Sequence, residues 1–119
     1  MTTSEIAHKI VELCRKGDYE AAYKDYFSPD AVSIECDPRI PNAKGLDAMF
    51  AKGGEFAKTT EVHGAELEGP LVAGSYFSIV FKMDTTDKAT GVRSVMEEVA
   101  LYQVKEGKVI SESFFYDLE

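Results

Sequence analysis

The sequence predicts an α+β domain: a cone-shaped, curved and mostly antiparallel sheet whose concave face is closed by three N-terminal helices. Two observations carry that prediction. Up to Lys58 apolar residues recur at helical spacing in three segments, interrupted by one short alternating stretch, and beyond it the period drops to two through four segments. At 119 residues the chain is long enough for one core and too short for two, so helices and sheet must cover each other.

In the first helix Ser4 is the expected N-cap, and Ile6, Ile10, Leu13 and Cys14 share one face through Arg15, with Val11 widening the stripe. Lys16-Gly17 suits its end, a cation followed by a glycine. Asp18 caps a second helix through Ala21, Ala22 and Tyr26, which Ser28-Pro29-Asp30 terminates. The stretch DAVSIECDP then alternates, with Val32, Ile34 and Cys36 against Ala31, Ser33 and Glu35. Residues 37–43, with two prolines and an Asn, read as loop, and 45–58 as a third helix carrying Leu46, Met49, Phe50 and Phe56. Strands are expected over 61–68, 74–83, 93–105 and 108–116. Gly69-Pro70, the segment DTTDKATG and Glu106-Gly107 separate them, the last as a tight hairpin.

A net charge of −8, with Lys and Arg scattered singly, disfavours nucleic acid or an anionic membrane surface as partner. No apolar run reaches signal-peptide or membrane-spanning length, so a soluble cytoplasmic protein is expected. Cys14 and Cys36 have none of the spacings that hold zinc or iron and read as buried thiols; neither a metal site nor a cofactor is expected. Gly53-Gly54 lies inside a helical pattern and has no phosphate-loop context. DTTDKATG lacks the spacing of a calcium loop.

The element order, with the stretches LCRKGDYEAAYKDYFSPDAVSIE, AKGGEFAKTTEVHG, VMEEVALYQVKEGKV and SFFYD, resembles the SnoaL-like (polyketide cyclase-like) group of the nuclear transport factor 2-like superfamily. The resemblance covers nearly the whole chain and implies one domain over residues 1–119 with a cystatin-like roll. It also implies an apolar pocket in the cone and a homodimer through the outer sheet face. It does not imply one activity, because this superfamily holds cyclases, isomerases, dehydratases, epoxide hydrolases and non-catalytic binding or dimerisation domains. Counting from Asp30-Ala31, Glu35 falls where related steroid isomerases place the aspartate that moves a proton beside a carbonyl. Two positions depart from that pattern: Ile10 stands where a tyrosine hydroxyl would meet the oxyanion, and Ala100 where a protonated acid would.

Alternation projected from Ala100 puts Met96, Glu98 and Tyr102 on the concave face, and Glu112, Phe114 and Tyr116 beside them, with Phe81 in the apolar wall. Glu35, Glu98 and Glu112 are the carboxyls whose pKa such a wall would raise toward neutrality. His63 could pair with Glu35 in proton transfer, and Tyr26, Tyr102 or Tyr116 could satisfy a buried carboxylate. Phe115 must face the outer side, as an interface residue. Two readings follow. The first is a pocket protein acting on an apolar carbonyl compound with Glu35 as general base; the alternative is a non-catalytic ligand-binding or dimerisation domain.

Overall fold

The computed structural model describes residues 1–118. Helix α1 (Thr3–Arg15) buries Ile6, Ala7, Ile10, Val11 and Cys14, the face the spacing predicted. Its N-cap is Thr2 rather than Ser4. Thr2 and Glu5 form a capping box in which each side chain accepts from the other's backbone N–H, satisfying two otherwise orphaned donors. Helix α2 (Tyr19–Tyr26) is capped by Asp18. It runs straight into strand β1 (Phe27–Glu35), which therefore starts before Ser28-Pro29-Asp30 rather than after it. Pro29 has no N–H to give a ladder, and the pairing of β1 slips between Phe27 and Val32.

A two-residue strand, β2 (Ala43–Lys44), pairs with β1 where the sequence showed only loop. Helix α3 (Leu46–Thr59) follows, and then the four long strands: β3 (Thr60–Ala73), β4 (Tyr76–Asp87), β5 (Arg93–Lys105) and β6 (Lys108–Phe115). Gly69-Pro70 does not separate two strands. It lies within β3 at a register shift against β4, and the reversal comes at Gly74-Ser75. The DTTD of the next predicted connection likewise belongs to β4, leaving 88–92 as the link. Glu106 (φ 52°) and Gly107 (φ 77°) are both left-handed, as a two-residue hairpin matching the strand twist requires.

The strands form one open sheet in the order β2-β1-β6-β5-β4-β3, antiparallel except for β1 against β6. The three helices lie on its concave face, giving the predicted cone. Ile6, Ile10, Phe77, Ile79 and Val109 are fully buried, and Phe77 stacks on Tyr102 with ring centroids 4.7 Å apart. Among the described residues no helix is long and apolar enough to cross a membrane, and no cluster of acids, Cys and His suits a metal.

Candidate functional site

Helices and sheet do not meet completely. Between them lies a cavity of about 620 Å³ whose wall is mostly apolar, built from Tyr23, Phe27, Phe50, Phe81 and Phe114 among others. Tyr23 packs edge-on against Phe27 and Phe50, at 4.8 and 5.8 Å between centroids, which fixes that corner. The small-residue face of β1 turns inward: Ala31 and Ser33 are buried and Glu35 lines the cavity, while Ile34 is exposed on the other side. Small residues there leave the space that the wall encloses.

Each carboxyl of the cavity has different company. Glu35 is held at both oxygens: Lys52 Nζ is 2.5 Å from Oε1, and the Tyr116 hydroxyl donates to Oε2 at 2.8 Å. Glu112, only 2% exposed, accepts from the Tyr23 hydroxyl at 3.0 Å and from Ser33. Ser33 in turn accepts from Lys52 at 2.9 Å. Tyr116, Glu35, Lys52, Ser33, Glu112 and Tyr23 thus form one continuous polar chain along an apolar wall. Glu98 stands outside it. Among the described residues its carboxyl makes no hydrogen bond or ion pair, and it faces the cavity while Glu97 points outward to solvent.

Burial pushes the Glu98 carboxyl up to about 7, with the Glu35 charge pushing the same way and Lys52 pulling back. Burial also pushes Glu112 up to about 7, against the hydrogen bonds from Ser33 and Tyr23 that favour its ionised form. The Cys14 thiol, another part of the lining, is driven up to about 12 by burial and is no nucleophile near neutrality.

Of the residues singled out from the sequence, Glu35, Glu98, Glu112, Phe81, Met96, Tyr102 and Phe114 line the cavity, and Tyr116 reaches it through Glu35. His63 does not. Its Nε2 lies 2.7 Å from Thr86 Oγ1, while its neighbour Val62 takes the inward position, so no Glu35–His63 pair exists. His63 sits where the register of β3 against β4 shifts, between Val62 and Gly64, and this irregularity leaves it outside the cavity wall. Tyr26 is also absent from the wall; Tyr19 and Tyr23, one turn apart, are the tyrosines that α2 presents. Cys36 is half-buried, its Sγ 3.6 Å from the Tyr116 carbonyl oxygen. Asp117 is exposed. Ile10 and Ala100 are both buried, so neither position offers a polar donor.

Sequence reasoning missed Lys52. Met49, Lys52, Gly53 and Phe56 follow one another at the spacing of a single helix face, and all line the cavity, so a lysine set into an apolar stripe was the available signal.

The profile of the SnoaL-like domain family matches residues 1–116. A solved structure from Mesorhizobium loti, named as a candidate SnoaL-like polyketide cyclase, superposes with a TM-score of 0.92 at 41% identity, covering 98% of this chain and 100% of that one. A nuclear transport factor 2-like protein from Burkholderia thailandensis gives 0.86 at 18% identity, over 98% of this chain and 92% of its own. A protein of ketosteroid isomerase-like fold from Catenulispora acidiphila, solved with trimethylamine, gives 0.75 at 16% identity, over 92% and 85%. The last two likenesses concern the fold alone. No curated protein gives a significant match to the chain.

Proposed function

The chain belongs to the SnoaL-like domain family, and from that premise we propose that its cavity binds a small apolar carbonyl compound and that Glu98 moves a proton on it. What supports this reading is the contrast among the three carboxyls. Both oxygens of Glu35 are engaged and Glu112 is buried under two donors, whereas Glu98 faces the cavity with no partner among the described residues. Glu35, the base expected from the sequence, is better placed to fix Lys52 than to take a proton.

The chemistry open to such a carboxyl is limited and balanced. Its carboxylate removes a proton from the carbon beside the carbonyl, and the C–H electron pair becomes an enolate. Returning the proton at another carbon isomerises the ligand. Attack of the enolate carbon on a second carbonyl cyclises it, the new alkoxide taking the proton back from the Glu98 carboxyl, and departure of a β-hydroxyl, protonated by the same carboxyl to leave as water, dehydrates it. All three share the first step, and a carboxyl titrating near neutrality suits it.

The test is a carboxyl titration by NMR, with Glu98→Gln to assign the signal and cyclohexanone as the first ligand. Glu98 is expected to titrate near 7 and to move when the ketone is added. A titration near the ordinary 4.5 that ignores every ketone would remove the reading. Buried Ile10 and Ala100 favour a second reading, in which the pocket holds its ligand unchanged, since two donors of the isomerase pattern are missing.

We also propose that a second copy covers the outer sheet face. Val99, Leu101 and Phe115 are 42, 38 and 50% exposed there, and Val99 pairs directly with Phe115 across β5 and β6, so the apolar surface is continuous. Sedimentation velocity is expected to give a dimer for the wild type and a monomer for Phe115→Glu. A monomeric wild type at micromolar concentration would rule the pairing out.

A further inference from the structure

Building on the proton-transfer reading of Glu98, we infer that Lys52 receives the carbonyl oxygen of the ligand and holds the negative charge that develops there. The isomerase-like pattern lacks its oxyanion donors at Ile10 and Ala100, and Lys52 stands in the same cavity on a different element, α3.

An ammonium has three N–H donors. Lys52 gives one to Ser33 Oγ at 2.9 Å and one to Glu35 Oε1 at 2.5 Å, which leaves the third for the cavity that the residue lines. These two contacts also fix the group from behind, so little reorganisation is needed when charge appears in front of it. The Phe114 ring, 5.3 Å from Nζ, closes one flank.

The placement is not that of an ordinary surface lysine. Lys58, on the same helix, is 73% exposed in its ion pair with Glu55, whereas the Lys52 side chain is 27% exposed and set among Met49, Gly53 and Phe56. The other donors of the wall are spoken for or neutral, the Tyr19 hydroxyl being among the neutral ones. The Tyr23 hydroxyl goes to Glu112 and that of Tyr116 to Glu35. Tyr102 lies between the Phe27 and Phe77 rings. Among the described residues only Lys52 brings positive charge into the wall. When Glu98 takes a proton from carbon, the pair of electrons left on the ligand ends at an oxygen facing Lys52, and the net charge of the site does not change.

4-Nitrophenol is the probe, because its phenolate absorbs visibly and copies an enolate oxygen. In saturating wild-type protein its ionisation is expected to move to lower pH than in free solution, by about one pH unit or a tenfold change in the phenol–phenolate ratio. Lys52→Met should abolish that shift and Tyr102→Phe should keep it. Because Lys52→Met strands the Glu35 charge, the double variant Lys52→Met/Glu35→Gln, which strands none, is measured beside it and should also lose the shift.

A bound phenol that ionises as it does in free solution, or a shift that survives both Lys52 variants, overturns the role of Lys52 and leaves the pocket reading standing. A shift lost in Tyr102→Phe instead assigns the oxygen site to Tyr102 and likewise overturns it. Absence of any phenol binding, seen as no rise in melting temperature, removes the pocket reading and this inference together.

Discussion

Glu98→Gln is expected to slow deuterium exchange at the α-carbon of bound cyclohexanone by about 10²–10⁴-fold, the usual contribution of a positioned general base. Gln has the shape of Glu and no basic oxygen, so the cavity keeps its volume and the ketone should still raise the melting temperature of the variant. The wild-type rate should climb with pH through about 7, as the Glu98 carboxyl ionises, while any residual rate in the variant lacks that rise. Glu35→Gln should cost less, because it loosens Lys52 without removing the base. Exchange by NMR in deuterated buffer measures all three proteins. Wild-type exchange no faster than buffer with a ketone that binds would establish the non-catalytic reading, and full exchange in Glu98→Gln would move the base elsewhere.

Glu112→Gln is expected to stabilise the fold at pH 8.5 and to change it little at pH 4. The Glu112 carboxyl titrates at 4.5 when unfolded and at about 7 in the fold. Between those values the folded state binds more protons than the unfolded one, so wild-type stability falls as pH rises through that window and levels off above it. Raising one carboxyl that far corresponds to about 3 kcal/mol. Gln keeps an acceptor for the Tyr23 hydroxyl and carries no charge, so the variant escapes this loss. Urea denaturation across pH 4 to 8.5 measures the difference. Parallel wild-type and variant curves would mean that Glu112 stays ionised in the fold through compensation by Lys52. Glu98, raised in the same direction, gives the variant a remaining slope of the same sign.

The fold was legible because its signals are periodic. The switch from helical to alternating spacing near Lys58 and the Glu106-Gly107 hairpin needed no tertiary information. What escaped were places where one element continues through a local breaker. Gly69-Pro70 and Pro29 look like stops, yet a bulge absorbs each while the strand pairs on either side. The inward carboxyls were legible for the same periodic reason, since alternation from buried Ala100 fixes Glu98. Their roles were not. Whether Glu35 is free or bound depends on Lys52, which comes from another element, and no spacing within β1 announces it. His63 was attractive as a residue type and failed on position, one place away from the inward Val62.

The parallel pairing of β1 with β6 has a consequence for the order of assembly. Tyr23 and Glu112, which share a hydrogen bond, are 89 positions apart in the chain, and Glu35 and Tyr116 are 81 apart. A polypeptide folded only as far as β5 has its helices, the β1–β2 pair and a separate three-stranded sheet of β3, β4 and β5, but no strand joining Glu35 to the one that carries Glu98. Such long-range closures form late, because the loop they shut must lose its freedom before any contact rewards it. The cavity is therefore a property of the finished domain, and whatever fills it clasps the first strand to the last.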